Sequence, residues 1–320
     1  GIKTKMPDYF IQYCTFLKES KGRDFSDMLI ELRTLLKENK WLKLFKGQYD
    51  YVYVDEAQDV SIAMMDVLLM LNAKYYSLIL DPNQSIFGYS GSNCNAVIDL
   101  LKKRRDCIEM NLSINFRSAK EIIEHSNNYS FLKAIPFWKD KEGYIDKTLL
   151  SFDNVMEILK KQNETVILAR TNAALREIEK RLLINKIPFR YTNYFSQREL
   201  DEIKSEEIHT VNLKHKINSV LPSFNGDLKQ LIEFIEKNKA ETNRAKTIHK
   251  SKGEEYESVI LFNCISPEII KLNNIHLNDE ERKYLSFINN NDEDFESKNV
   301  FYVGITRSIK NLYFSLIDTK

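Results

Sequence analysis

The chain has 320 residues, of which 43% are hydrophobic, so it is long enough for two domains of ordinary size with buried cores. Its 47 basic and 46 acidic residues give a net charge of +1, which excludes a global attraction to nucleic acid, so such binding needs a local groove. No run approaches the roughly 18 apolar residues of a membrane span, and the N-terminus lacks the apolar core of a secretory signal. We therefore expect a soluble protein of the cytoplasm or the nucleus, without a membrane partner.

Cysteine spacing gives no sign of a metal site. Four widely scattered cysteines form no Cys-x-x-Cys pair: Cys14, Cys94, Cys107 and Cys264. This spacing argues against a zinc site and against a disulfide framework. We expect four reduced thiols that are packed inside the protein.

Short runs of β-branched or aromatic residues alternate with longer amphipathic stretches, which predicts a parallel α/β architecture. The predicted strands are, in chain order, residues 51–54, 77–80, 165–168, 245–248, 258–262 and 312–317. The predicted helices are residues 25–39, 61–72, 119–127 and 172–185. Weak patterns predict loops at residues 130–150 and 288–298.

The first predicted strand runs directly into the sequence Asp-Glu-Ala-Gln-Asp at residues 55–59. In parallel α/β sheets ligands bind beyond the carboxyl ends of strands, so Asp55 and Glu56 are placed where a nucleotide would bind. One carboxylate there can hold Mg²⁺ while its neighbour orients or deprotonates an attacking water. For an isolated pair of acids, the simpler alternative is an acidic turn in which Asp59 caps a helix that starts near Ser61.

The second predicted strand leads into Asp-Pro-Asn-Gln-Ser-Ile-Phe-Gly-Tyr-Ser-Gly, residues 81–91. On this loop Gln84 can sense a phosphate oxygen through a hydrogen bond. Phe87 and Tyr89 can offer flat faces to nucleobases. Two aromatic side chains that pack under a loop are the alternative interpretation.

Five sequence blocks, in a fixed order, together resemble motifs II to VI of the UvrD/Rep-type superfamily 1 DNA helicases. The blocks are residues 55–59, residues 81–91, Leu-Ser-Ile-Asn-Phe-Arg-Ser at 112–118, Thr-Ile-His-Lys-Ser-Lys-Gly-Glu-Glu-Tyr at 247–256 and Phe-Tyr-Val-Gly-Ile-Thr-Arg at 301–307. This resemblance covers nearly the entire chain. It implies an α/β fold of two RecA-like parallel-sheet domains, the first of them truncated at its N-terminus.

The resemblance also implies a motor that uses ATP and Mg²⁺ to step along single-stranded DNA from 3′ to 5′. In the first domain, Asp55 would hold Mg²⁺, Glu56 would activate water and Gln84 would read the γ-phosphate. Phe87 and Tyr89 would be the pair that stacks on DNA bases. The order Gln-Ser-Ile-Phe at residues 84–87 is similar to the 3′-to-5′ DNA group, whereas relatives acting on RNA or moving 5′ to 3′ usually have leucine and proline after the glutamine.

In the second domain, the resemblance assigns the remaining nucleotide contacts. Arg117 and Arg307 would reach the γ-phosphate as arginine fingers, because a guanidinium is always charged and forked. Gly253 and Glu255 would contact the nucleotide, with Glu255 near its sugar. For a lone arginine, a surface salt bridge is the commoner role.

Two further residues would face the DNA backbone or relay between DNA and ATP: Thr247 and His249. For His249, a buried and hydrogen-bonded strand histidine is an equally good interpretation. A departure from the family nearby is Glu254, which stands where leucine is usual.

The gravest departure is that Gly-x-x-x-x-Gly-Lys-[Ser/Thr] occurs nowhere in these residues. Without that loop, backbone N–H groups cannot cradle the β- and γ-phosphates, so the chain alone should hydrolyse ATP poorly. We therefore expect the C-terminal portion of a longer helicase. The alternatives are a helicase-derived module that lost its ATPase activity and binds DNA or a partner, and the motor portion of a helicase-nuclease.

The resemblance divides the chain into four segments. Residues 1–114 would be the remainder of the first RecA-like domain, and residues 115–200 the first part of the second. Residues 201–244 would be a reduced 2B-like insertion or a linker. Residues 245–320 would complete the second domain.

Overall fold

A computed structural model describes residues 7–38, 47–88, 91–103, 106–264, 267–273 and 295–316 of the chain. The chain divides into two compact units, residues 1–108 and residues 109–320, which we describe separately. Within the ranges just given, no helix is long and apolar enough to cross a membrane. The mixed α/β fold with parallel sheets, predicted from the sequence, is confirmed.

Unit 1 is built on two short parallel strands, β1 (Tyr51–Val54) and β2 (Tyr75–Leu78). Its helices are α1 (Asp8–Glu19), α2 (Phe25–Lys37), α3 (Ile62–Met70) and α4 (Cys94–Lys102). The cap of α3 is the hydroxyl of Ser61, which accepts the N–H of Met64 at 3.2 Å. The alternative interpretation, in which Asp59 caps this helix, is therefore wrong.

Strand β2 lies two residues earlier than the predicted strand at residues 77–80. The Ile79 N–H continues the ladder by donating to the Val54 carbonyl at 2.9 Å. The Ile79 carbonyl instead accepts the N–H of Ala57, also at 2.9 Å, in the turn after β1. Regular pairing ends at Leu78 because the chain bonds to this turn from Ile79 onwards.

The described part of unit 2 contains seven strands in two sheets. In chain order they are β3 (Ile114–Asn115), β4 (Ile135–Pro136), β5 (Tyr144–Leu150), β6 (Thr165–Ala169), β7 (Arg244–Thr247), β8 (Tyr256–Phe262) and β9 (Ser308–Ser315). β3 and β4 form a parallel pair, and the other five form a parallel sheet in the order β5-β9-β8-β6-β7. Strands from before and after residues 201–244 thus belong to one sheet.

The helices of unit 2 cover this sheet. They are α5 (Lys120–Ser126), α6 (Phe152–Lys161), α7 (Asn172–Ile184), α8 (Gln197–Lys204), α9 (Val211–Val220), α10 (Leu228–Lys237), α11 (Pro267–Leu272) and α12 (Phe295–Thr306). The interior strand β6 is buried at every position, as its unbroken apolar sequence predicts.

The segment expected as an insertion or linker, residues 201–244, belongs to the core of unit 2. It carries α9, α10 and the last turn of α8, and its buried side chains join the same hydrophobic cluster as those of β6. Among them are Leu213, Ile217, Leu231 and Ile235, none more than 3% exposed. An extended linker would leave such side chains in water, so these residues stabilise the unit.

Two predicted loops contain regular structure. Residues 130–150 include β4 and all of β5, which the sequence did not reveal because β5 carries the polar residues Asp146, Lys147 and Thr148 at its centre. Such mixed composition fits its place at the edge of the sheet. In the second loop, residues 295–298 belong to α12, while residues 288–294 lie outside the described ranges.

The four cysteines carry free thiols, as their spacing predicts. Cys94 and Cys264 are buried, and burial raises the pKa of the Cys264 thiol to about 12. The expectation that all four are packed is wrong for Cys14 and Cys107, which are exposed.

A buried carboxylate on α7 fixes the loop that leads into α8. Glu179 is fully buried and accepts hydrogen bonds from the backbone N–H groups of Thr192, Asn193 and Tyr194. The Asn193 side chain donates to it as well, at 2.6 Å, and also to the Ala245 carbonyl of β7 at 3.0 Å. Burial raises the pKa of Glu179 to about 6, although these hydrogen bonds act in the opposite direction.

We predict that Glu179 makes unit 2 less stable as the pH rises from its ordinary pKa of 4.5 to about 6. Because its pKa is raised by folding, the folded state binds the proton more tightly. Its favourable contribution is complete below pH 4.5 and is lost on the way to about pH 6, by about 2 kcal/mol. The free energy of unfolding of Glu179→Gln, measured by denaturant titration at several pH values, should lack this component.

Glu177→Gln, which removes a more exposed carboxylate from the same helix, is the matched control. A pH dependence that is identical in the two variants across this window would contradict the role given to Glu179.

Candidate functional site

In unit 1, the predicted acidic residues lie at the carboxyl ends of paired strands. Asp55 and Glu56 directly follow β1 and are both exposed. The Asp55 carboxylate accepts the N–H of Glu56 at 2.9 Å. Glu56 has a φ of +50°, a left-handed conformation that costs energy for a residue other than glycine. Such strain is typical of functional sites, where the surroundings hold it in place.

A residue without an assigned role, Gln58, connects the ends of the two strands. It is 1% exposed, and its side-chain amide donates a hydrogen bond to the Glu56 carboxylate. The side-chain oxygen Oε1 of Gln58 accepts the backbone N–H of Asp81, which follows β2, at 3.1 Å. Gln58 therefore fixes Glu56 relative to the loop at residues 81–91, and its place inside the Asp-Glu-Ala-Gln-Asp block was the only signal for this role.

The loop after β2 holds Gln84 close to the acids. The Gln84 amide donates to the Asp81 carboxylate at 2.8 Å, and Asn83 donates to the other oxygen of that carboxylate at 3.0 Å. Phe87 is half-buried on the same loop, whereas Tyr89 lies outside the described residues. Asp55, Glu56 and Gln84 thus belong to one edge of unit 1.

The donor chemistry of this edge fits a magnesium ion at Asp55. Of the carboxylates that follow the strands, Asp81 has both oxygens occupied by hydrogen bonds from its neighbours, and Glu56 accepts one from Gln58. Asp55 is exposed. The described residues contain no group of three or more potential metal-binding side chains. One carboxylate with water and phosphate oxygens is the usual environment of Mg²⁺ at nucleotide sites.

In unit 2, Arg117 is held in the turn that follows β3. Its backbone N–H donates to the Asn115 side chain at 2.9 Å. Its guanidinium forms an ion pair with Glu255, with Nε and Oε2 2.6 Å apart, and the two side chains are 40% and 52% exposed. In this structure the surface salt bridge, the commoner role for an arginine, is therefore present, and it joins two of the predicted nucleotide-binding residues.

Arg307 differs from Arg117 because it is only 1% exposed. Its guanidinium donates to the carbonyl oxygens of Val303 and Glu254, each at 3.2 Å, and to the hydroxyl of Thr306 at 3.3 Å. A surface salt bridge, expected as the alternative for this residue, is excluded by its burial. The bond to Glu254 places the guanidinium beside the residue that precedes Glu255.

The close packing of α12 on β8 requires the glycine three residues before Arg307. A Cβ atom on Gly304 would lie 2.9 Å from the Leu261 side chain and 3.3 Å from that of Ile248. Contacts this short force neighbouring atoms to move. Gly304 thus allows the helix that carries Arg307 to approach the sheet.

The remaining predicted residues lie at the end of β7 and in the turn that follows it. Thr247 is buried, and its hydroxyl accepts the N–H of Lys250 at 3.3 Å. His249 is half-buried and begins a short 3₁₀ turn, so the interpretation as a buried strand histidine is wrong. Gly253 has a φ of +83°, which favours glycine because it lacks a Cβ.

Glu254, which departs from the family, closes this turn. Its carboxylate accepts hydrogen bonds from the Lys246 ammonium at 2.6 and 2.7 Å and from the Tyr256 hydroxyl. Burial acts to raise its pKa, but these hydrogen bonds hold the pKa of Glu254 below its ordinary value. No local pattern of residues indicates this pairing, because Lys246 lies eight residues before Glu254, in β7.

Comparison with known proteins supports the assignment of both units to one family. The family profile described as the UvrD/REP helicase N-terminal domain matches residues 3–105. The profile described as the UvrD-like helicase C-terminal domain matches residues 206–319. The two ranges together cover more than half of the chain.

Several curated relatives are similar to the chain. A probable DNA helicase II homolog of Mycoplasma capricolum is 28% identical over 232 residues, 65% of this chain and 32% of the relative. The ATP-dependent DNA helicase Rep of Buchnera aphidicola is 27% identical over 219 residues, 61% of this chain and 34% of the relative.

The ATP-dependent DNA helicase PcrA of Staphylococcus epidermidis is 23% identical over 216 residues, 59% of this chain and 29% of the relative. The matched part of the chain thus spans about a third of the length of these relatives. With two profiles of one family on its two units, the chain belongs to the UvrD/Rep helicase family.

Proposed function

We propose that this chain is the motor portion of an ATP-dependent helicase that moves from 3′ to 5′ along single-stranded DNA. Two groups of residues carry the proposal. Unit 1 has an acidic edge, formed by Asp55 and Glu56. Unit 2 has a cationic edge, formed by Arg117 and Arg307. Hydrolysis of a nucleotide requires both a base and positive charge at the γ-phosphate. Family membership supports the same activity.

In the proposed reaction, Glu56 accepts a proton from water as the water oxygen attacks the γ-phosphorus. The bond between that phosphorus and the oxygen of ADP breaks, which yields ADP and inorganic phosphate. Asp55 would hold Mg²⁺, which would supply positive charge to the phosphates. Gln84 donates to a γ-phosphate oxygen, and Arg117 and Arg307 neutralise the charge that spreads over the phosphoryl oxygens.

For DNA, we propose that Phe87 and Tyr89 stack on bases without sequence preference, which suits a protein that moves along any strand. In unit 2, Thr247 and His249 contact the DNA backbone. The direction from 3′ to 5′ is supported by the Gln-Ser-Ile-Phe sequence at residues 84–87, which is similar to that of the DNA helicases of this polarity.

A second candidate function is supported by the absence of a glycine-rich phosphate-binding loop from the 320 residues. A helicase-derived module without ATPase activity would bind DNA or a protein partner and leave ATP unchanged. The assays below use the protein encoded by the complete reading frame around this sequence, so that they separate the two functions.

We predict that Glu56→Gln lowers the kcat of DNA-stimulated ATP hydrolysis at least about 100-fold, because the amide cannot accept the proton of the attacking water. ATP binding should persist, since the substitution preserves shape. Phosphate release and the binding of a fluorescent ATP analogue measure the two quantities.

Glu19→Gln, at the exposed end of α1, is the control. Undiminished hydrolysis in Glu56→Gln would refute the assigned base, and no hydrolysis by the unmodified protein would favour the second candidate.

We predict that Phe87→Ala weakens binding of single-stranded DNA by about 1 to 3 kcal/mol, because one stacked base loses its aromatic partner. Fluorescence anisotropy of a labelled oligonucleotide at fixed salt measures this affinity. Phe87→Trp retains a stacking face and should bind about as tightly as the unmodified protein. Equal affinities for the alanine variant and the unmodified protein would remove Phe87 from the DNA site.

A further inference from the structure

The turn that carries Arg117 is flanked by a segment about twenty residues further along the chain. β3, just before Arg117, pairs with β4, and the Phe137 N–H extends the ladder by donating to the Asn115 carbonyl at 2.9 Å. Residues 137–141 therefore run beside the backbone of residues 115–117.

Two side chains of this segment bond to consecutive backbone carbonyl oxygens, those of Phe116 and Arg117. The indole N–H of Trp138 donates to the Phe116 carbonyl at 2.9 Å. The ammonium of Lys141 donates to the Arg117 carbonyl at 2.5 Å. Consecutive carbonyl groups are thus both fixed by side chains, which regular secondary structure does not require.

Aromatic packing supports the first of these bonds. The ring centroids of Phe116 and Phe137 lie 4.4 Å apart, and those of Phe137 and Trp138 lie 4.7 Å apart in an edge-to-face arrangement. Trp138 is 50% exposed, so its burial alone does not explain its position. The contacts hold the indole so that its N–H meets the backbone next to Arg117.

Arg117 is consequently held at three points. Asn115 accepts its N–H, Lys141 donates to its carbonyl and Glu255 pairs with its guanidinium. The first two fix the backbone from which the side chain extends. A side chain that must meet a phosphoryl group within a fraction of an ångström needs such a fixed base.

We propose that Trp138 and Lys141 are positioning residues for Arg117 in ATP hydrolysis. This inference rests on the proposed function. Lys141 bonds to the backbone carbonyl of Arg117 and Trp138 to that of the preceding residue, Phe116. Their loss therefore affects the placement of the guanidinium in the transition state more than the binding of ATP. Substitution of either residue should therefore lower kcat and leave KM nearly unchanged.

The test compares Trp138→Phe, which removes the indole N–H and keeps an aromatic ring, with Lys141→Met, which removes the ammonium. Each is expected to lower the kcat for ATP about three- to tenfold, the effect of one hydrogen bond, with KM unchanged within about twofold. Lys141→Arg keeps a donor and should retain most of the activity. Lys139→Met, at an exposed position two residues earlier, should equal the unmodified protein.

The decisive measurement repeats both substitutions in the Arg117→Ala background. Residues that act only through Arg117 cause no further loss of kcat once it is absent. A merely structural role would lower kcat equally in both backgrounds, and thermal unfolding of every variant checks that the fold is intact. If Trp138→Phe proves unstable, Lys141→Met decides the question by the same comparison.

Two results overturn the inference alone: equal losses in both backgrounds, and unchanged kcat in Trp138→Phe and Lys141→Met while Arg117→Ala is impaired. If Arg117→Ala itself retains full kcat, Arg117 does not act as an arginine finger. That part of the proposed function then fails together with the inference.

Discussion

The cationic edge of unit 2 depends on a hydrogen bond between two segments 190 residues apart, from the hydroxyl of Ser118 to the carbonyl of Ser308 at 2.7 Å. Both residues are buried, and the backbone N–H of Ala119 adds a second link by donating to the carbonyl of Ile309 at 2.8 Å. Breaking a buried hydrogen bond leaves polar groups without water, so such links are costly to open. Because Arg117 precedes Ser118 and Arg307 precedes Ser308, these bonds bring the backbones of both arginines together.

The two arginines then differ in how freely they can act. Arg307 is buried among backbone carbonyls, so its charge has a fixed position. Arg117 is partly exposed and pairs with Glu255. Exposed ion pairs contribute at most about 1 kcal/mol, so a phosphate could replace that carboxylate at little cost. Under the proposed function, Arg307 provides a constant positive charge while the side chain of Arg117 changes partners and its backbone stays fixed.

In unit 1, the acidic residue Glu56 is positioned in a different way. A buried amide, Gln58, joins the left-handed turn at Glu56 to the loop after β2. Polar groups in a low-dielectric interior form strong and directional bonds, which suits them to fix an exposed carboxylate. In unit 2, Lys246 compensates the charge of Glu254, which stands in place of the usual leucine.

The sequence by itself determined the strands with unbroken apolar or aromatic runs, β1, β6 and β8, and the helices α2, α3, α5 and α7, because residue type and its periodicity are local properties. Motif order also determined the family and the candidate residues. Only the tertiary structure decided that the polar strand β5 joins the sheet, that residues 201–244 contribute to its core, and that Arg307 is buried while Arg117 is not. It alone brought Gln58, Trp138 and Lys141 to these sites, since hydrogen bonds between distant segments depend on the packing of the sheet and leave no pattern in neighbouring residues.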